Sequence, residues 1–364
     1  MRARQEAMVS LGDSYISGEA GRWRGNSYDT SGSRQGTDRA WVCDRNGKCG
    51  RKPEVVYGTS YTNGCNRSDV AEIESAHRLG GLRYHPVNLA CSGAETKDVY
   101  ERNFKGEQPQ LTRLEVPVTK YKVRLIVLSI GGNDMKFAGI IKSCYLGYKN
   151  PVKYPKCHVS QEANVSKRLE SLPAQISTTV DRIHKKMKWH HYEKGEYRIV
   201  LQSYPTALAP SSLNRYPEKG TSRNTLGGCP FYDKDIDWAR RVGTRISAVQ
   251  QRVAKEEKID FLDLSETFDG HEVCDRRSRP ANADNTPARP LPAGEAEWMR
   301  YLVLFTQGQQ QESVHPNAYG QQALGYCLRK LWALAEQQEP KPYKCVKQNE
   351  TSREPSQVKV EAKS

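Results

Sequence analysis

A chain of 364 residues that sets 56 lysines and arginines against 42 aspartates and glutamates carries a formal charge of +14. Its apolar content of 37% and mean hydropathy of −0.78 suit a buried core wrapped in long polar loops, and no stretch is long and apolar enough to cross a membrane as a helix. The basic surface favours anionic partners such as phospholipid headgroups, wall polymers or acidic polysaccharide, or serves solubility alone; with no nucleic-acid-binding motif beside it, DNA and RNA are excluded as expected partners.

Residues 1–7 are charged and lack the apolar core of a secretory leader. The first predicted strand is the apolar run at 8–11, which Gly12, Asp13 and Ser14 break. Residues 19–66 form a long aperiodic excursion bearing Trp23, Tyr28, Trp41, Tyr57 and Tyr61. A helix is predicted at 68–79 with Ser68 as its N-cap, then a strand at 84–90 and a short helix at 96–100. The strongest strand signal lies at 124–130, followed by a basic loop that Cys144 and Cys157 bracket. A long helix at 164–189 follows, in which Pro173 is a point of bending or interruption. A strand at 197–203, a helix at 233–257 and a strand at 259–264 complete the regular part. Ile236, Ala239, Val242, Ile246, Val249 and Val253 recur at helical spacing and mark a core face. A second excursion, rich in proline, runs from 267 to 311, and a closing helix carries Ala323, Leu324, Leu328, Leu331 and Leu334 to about 336. Strand and helix alternate through five repeats, the pattern of a doubly wound parallel sheet. Past 337 the composition turns polar, so 337–364 is expected to be a partly flexible tail on one domain spanning 1–336.

Four strand or helix junctions carry groups that chemistry can use. Ser14 leaves the first strand where an open parallel sheet holds its ligand crevice, and its hydroxyl is a candidate nucleophile. Gly93, past the second strand, has a backbone N–H that a reacting oxygen can approach, and Asn133, past the third, can donate from its side-chain amide. His315, ahead of the closing helix, is the candidate general base. Taken singly, each has an ordinary explanation as an N-cap, a turn residue or helix-start chemistry. Together they supply the separate parts of one acyl-transfer site. Asp13 reads as a structural residue that ties down the turn.

These blocks, Gly12-Asp13-Ser14, 88–94, 130–134 and 313–320, closely resemble the signatures of the SGNH (GDSL) esterases and lipases, above all their secreted actinobacterial branch. The resemblance implies a flavodoxin-like α/β/α sandwich on a five-stranded parallel sheet. It further implies Ser14 as nucleophile, His315 as base, and an oxyanion hole of the Ser14 N–H, the Gly93 N–H and the Asn133 side chain, with no metal or cofactor. The family usually places an aspartate three residues before the histidine to orient the imidazole, and here that position is Glu312. The carboxylate of Glu312 or a main-chain carbonyl just ahead of His315 is expected to take that role.

Ten cysteines, an even number with no metal-ligand clustering, suit an oxidising extracellular compartment. Spacing alone does not choose their pairing. The related secreted enzymes imply Cys65 with Cys91, Cys144 with Cys157, and Cys229 with Cys274. Extending the sequential pattern joins Cys43 with Cys49 and Cys327 with Cys345. Export would mean that a leader has already been removed. The expected function is hydrolysis of carboxylic esters by a secreted monomeric lipase, esterase or phospholipase. Deacetylation of an O-acetylated glycan is the alternative, and a binding module on a degenerate hydrolase fold is the non-enzymatic one.

Overall fold

The computed structural model describes residues 4–28, 41–44, 46, 48–79, 81–302, 310–335 and 339–363, with only the backbone described at 41–43, 49, 51 and 53. The strands among the described residues are β1 (Glu6–Gly12), β2 (Trp41–Cys43), β3 (Cys49–Arg51), β4 (His85–Asn88), β5 (Lys122–Ser129), β6 (Arg198–Gln202), β7 (Asp260–Asp263), β8 (Pro342–Lys347) and β9 (Val358–Ala362). Seven of them form one sheet in the order β4-β1-β5-β6-β7-β8-β9. β1 and β5 read as continuous apolar runs because both faces of the sheet are covered: Ala7, Met8, Val9 and Leu11, and Leu125 to Leu128, are fully buried. Helices Glu72–Arg78 and Ala318–Ala335 pack together on one face. Helices Glu162–Trp189 and Asp233–Glu256 pack together on the other.

The five strands expected from the sequence are the parallel core β4-β1-β5-β6-β7. The sheet does not stop there. β8 adds in parallel to β7 and β9 returns antiparallel to β8, so the segment expected to be a flexible tail is an integral edge of the sheet. Tyr343, Cys345 and Val358 are the buried residues of these two strands, and the Cys327–Cys345 disulfide fastens β8 to the closing helix. Disulfides also join Cys65 to Cys91, Cys144 to Cys157 and Cys229 to Cys274. Cys43 and Cys49 face each other across the β2–β3 hairpin, but their side chains lie outside the described residues.

Two local expectations are corrected. The helix expected at 68–79 begins at Glu72: the Ser68 hydroxyl accepts the Val70 N–H in a turn, while its own N–H is taken by the Ser17 carbonyl. Of the bending or interruption expected at Pro173, the interruption does not occur: the helix runs unbroken from Glu162 to Trp189, and burial of Leu172, Ile176, Val180 and Ile183 holds the segment together across the missing hydrogen bond.

Strand order reverses direction between β1 and β5, since β4 lies on one side of β1 and every later strand on the other. The carboxyl ends of β1 and β5 therefore flank the crevice in which such sheets bind ligands. Ser14 follows β1 and Asn133 follows β5, so the topology alone brings two of the four candidate groups to that crevice.

Candidate active site

β1 ends at Gly12, whose φ of +132° no side chain adopts readily and whose Cβ would lie 1.9 Å from the Ser129 carbonyl oxygen. Only glycine lets the two strand ends approach this closely. The side chain of Gln110 holds both Gly12 backbone groups, accepting its N–H and donating to its carbonyl, each at 2.8 Å. Asp13 then caps the short helix Ser14–Ser17 by accepting the Tyr15 N–H, and takes a 2.5 Å hydrogen bond from the Tyr204 hydroxyl. That hydroxyl in turn accepts the Gly132 N–H at 2.9 Å. Asp13 is thus the structural tie it was expected to be, linking the exits of β1, β5 and β6. Burial pushes its carboxyl up to about 7 even though both hydrogen bonds oppose the shift.

At the end of this turn the Ser14 hydroxyl lies 2.7 Å from Nε2 of His315. The other ring nitrogen, Nδ1, lies 2.9 Å from the main-chain carbonyl of Ser313. A ring that donates from Nδ1 to a carbonyl presents Nε2 as an acceptor toward the hydroxyl. Desolvation lowers the imidazole pKa to about 4, so the ring is neutral at physiological pH. The backbone makes this geometry by an unusual device. Val314, a β-branched residue, sits at a φ of +54°, a left-handed conformation that costs about 1–3 kcal/mol and persists only where neighbours enforce it. Its N–H donates to the Arg300 carbonyl at 2.9 Å and its carbonyl accepts the Tyr15 hydroxyl at 2.6 Å. With Val314 turned left-handed, the Ser313 carbonyl folds back onto the ring two residues ahead.

Of the two expected partners for the imidazole, the carboxylate of Glu312 makes no hydrogen bond to it. Glu312 is buried, with Trp23 Nε1 donating to one carboxylate oxygen and Arg22 donating to both at 3.3 Å. Burial raises its pKa and the Arg22 charge works against that rise. The Trp23 ring is sandwiched between the guanidinium groups of Arg22 and Arg300, 3.9 and 3.7 Å from its centroid. Glu312 therefore anchors the loop that carries His315 to the start of the first long excursion.

The amide of Asn133 donates to the Ala94 carbonyl at 2.9 Å, which leaves its second hydrogen for another acceptor and ties the Asn133 loop to the Gly93 loop. Asp134 reinforces the tie by accepting from the Thr96 N–H and hydroxyl. Gly93 has a φ of +89°. Among the described residues, neither its N–H nor that of Ser14 is spent on an acceptor. The four blocks read from the sequence thus converge. Tyr15, Tyr204, Gln110, Arg22 and Trp23, which hold them in place, are not legible in that role from the sequence, where of the five only Trp23 stands out, among the aromatics of the first excursion.

Ser14 and His315 open on a cavity of about 430 Å³ among the described residues, within the range of pockets for small organic ligands. Phe137, Ile141, Tyr145, Leu208, Ile246 and Leu302 line it, a largely apolar wall that Ser14 and His315 share.

The sequence profile of the GDSL-like lipase/acylhydrolase family matches residues 56–323. The chain belongs to that family. The matched span holds the Gly93, Asn133 and His315 blocks and begins after Ser14. A lipase of Streptomyces rimosus is 24% identical over 322 residues, covering 86% of this chain and 81% of that protein. Lipase 2 of Streptomyces coelicolor is 21% identical over 240 residues, covering 65% and 68% respectively. Among solved structures, an extracellular lipase from Streptomyces rimosus superposes with a TM-score of 0.51 at 22% identity, covering 89% of this chain and 97% of that one. A phospholipase A1 from Streptomyces albidoflavus superposes with a TM-score of 0.52 at 20% identity, covering 90% and 98%. At these identities the structural likeness establishes the shared fold. Membership of the GDSL-like family makes this chain a carboxylic ester hydrolase.

Proposed function

We propose that this protein is a secreted serine hydrolase that cleaves carboxylic esters of apolar acyl chains through an acyl-enzyme. The observation that carries the reading is the 2.7 Å contact between the Ser14 hydroxyl and His315 Nε2 in the wall of an apolar cavity. His315 takes the Ser14 proton as the oxygen attacks the ester carbonyl, and the Ser313 carbonyl steadies the imidazolium that forms. The Ser14 N–H, the Gly93 N–H and the free hydrogen of Asn133 receive the developing negative charge. The protonated ring then releases the alcohol, and water repeats the sequence to free the acid. The disulfides and the extracellular relative support export. The apolar wall favours a lipase, esterase or phospholipase over an acetyl-specific glycan deacetylase. On p-nitrophenyl esters, kcat/KM is expected to rise from acetate to octanoate, and a maximum at acetate would reverse that preference.

Asn133→Ala is expected to lower kcat on a soluble ester by about 10²–10³ with KM little changed, the cost of one oxyanion donor. A loss confined to KM would remove Asn133 from the charge-stabilising role. The pH profile tests the base. His315 is active when neutral, and its lowered pKa keeps it neutral at every pH above about 4, so the acid limb of kcat/KM should fall to half near that value. Tyr15 packs against the ring at 4.9 Å, and the Glu312 carboxylate acts on it only as a through-space charge. A half-point near the ordinary histidine value of about 6.5 would mean that the ring is solvated in the working enzyme.

A further inference from the structure

Three stretches concentrate the positive charge, and two of them are neutralised locally. In the Glu162–Trp189 helix, Lys185 pairs with Asp181 and Lys186 with Glu115. In the second excursion, Arg277 pairs with Asp269 and Asp275, and Arg279 with Glu295. The third is different. Between Asp134 and Glu162 the chain holds five lysines and no acid. Among the described residues only Lys136 of these five has a carboxylate partner, Glu95. Lys142, Lys149, Lys153 and Lys156 are exposed and have no carboxylate partner among the described residues. The nearby acids are already engaged: Asp235 with His158, Asp233 with Arg223, and Glu162 with Arg245.

Apolar side chains are presented in the middle of this charge. Val152 is 98% exposed and Val159 68% exposed. The scaffold beneath them is rigid. The Cys144–Cys157 disulfide clamps the loop to the Phe137–Lys149 helix, and a Cβ at Gly147 would lie 2.7 Å from the Pro155 carbonyl oxygen. The Tyr148 hydroxyl fastens the same turn to the carbonyls of Glu218 and Gly220. This platform is also continuous with the active site, since Phe137, Ile141 and Tyr145 on that helix are cavity wall. Lys149 follows Tyr145 by one helical turn, about 6 Å along the axis.

We propose that residues 149–159 are the surface by which this enzyme docks on an anionic phospholipid bilayer. Lysines that no carboxylate neutralises, Lys153 and Lys156 resting over the rings of Tyr154 and Tyr232, are drawn to the negative headgroup layer, and the Val152 tip enters the interface between headgroups and acyl chains. Docked in this way, the enzyme holds the mouth of its acyl cavity beside the lipid. The purpose rests on the ester-hydrolase reading, but the binding is measurable without turnover. Trp189, 78% exposed beside Lys185 and Lys188, is the competing surface. It ends a helix that leads into the start of β6, at the amino end of the parallel strands and so opposite the carboxyl end where Ser14 sits, and part of its charge is neutralised.

The experiment measures cosedimentation of the Ser14→Ala protein with vesicles of phosphatidylcholine, with and without phosphatidylglycerol. Binding is expected only with phosphatidylglycerol and should weaken as salt is raised. Adding Lys149→Gln, Lys153→Gln and Lys156→Gln should lower the partition constant about 100-fold, at about 1 kcal/mol per lysine. In the Ser14 background the same three changes should leave the melting temperature and hydrolysis of p-nitrophenyl butyrate unchanged. Equal binding of the triple variant, a loss that follows Lys185→Gln, Lys188→Gln and Trp189→Ala instead, or binding to soluble dextran sulfate but to no vesicle would each overturn the proposal. Failure of the catalytic reading would show separately, as ester hydrolysis that survives Ser14→Ala.

Discussion

Ser14→Ala is expected to fold normally and to lose about 10⁴–10⁶ of kcat on a soluble p-nitrophenyl ester. The size follows from what the hydroxyl does. The Ser14 Oγ bonds to His315 alone among the described residues, so its removal takes away the attacking atom without cutting a structural link. The N–H of residue 14, the Gly93 N–H and Asn133 survive in the variant, which is why a residual rate above the uncatalysed one should remain. His315→Ala should cost about as much, and the double variant no more than either, because nucleophile and base act as a unit. Labelling by an organophosphonate should vanish in Ser14→Ala. Retention of the label, or a loss of less than about tenfold, would place the nucleophile elsewhere.

How much of this arrangement could be read from the chain depends on which interactions leave a local trace. The parallel core could, because strands buried on both faces must be apolar along their length, as at 8–11 and 124–130. The reactive groups could, because each sits where an apolar run meets small or polar residues. β8 and β9 could not. Lysines alternate with Tyr343 and Cys345 in β8, and β9 is an edge strand whose Lys359 and Glu361 keep it from pairing onward. Three buried side chains in the eleven residues of the two strands give no apolar run, so the segment looks like a tail until the sheet is seen. The orientation of His315 was hidden for another reason. It depends on a left-handed Val314, against the preference of a β-branched residue, and that conformation is held by the Arg300 carbonyl and by Tyr15, the latter from the other end of the chain.

The same distant contacts decide what a change at Glu312 should do. If its carboxylate oriented the imidazole, Glu312→Gln would resemble the loss of a triad acid, about 10⁴ in kcat. The ring is instead held by the Ser313 carbonyl, which no side-chain substitution removes. Glu312→Gln should therefore keep kcat within about tenfold of the parent, with the ring still neutral and still bonded to Ser14. Stability is where Glu312 matters. Arg22 and Glu312 have side chains only 4% and 1% exposed, and Glu312→Ala leaves a buried guanidinium and the Trp23 N–H without their acceptor. Breaking such a pair costs about 3–5 kcal/mol, enough to lower the melting temperature by several degrees. Glu312→Gln, which still accepts a hydrogen bond, should lose less. Denaturation midpoints and kcat measured on the same two variants separate the roles: a glutamine variant that is stable but nearly inactive would restore Glu312 as the orienting acid, whereas an active glutamine variant beside a destabilised alanine variant fixes it as the anchor of the histidine loop.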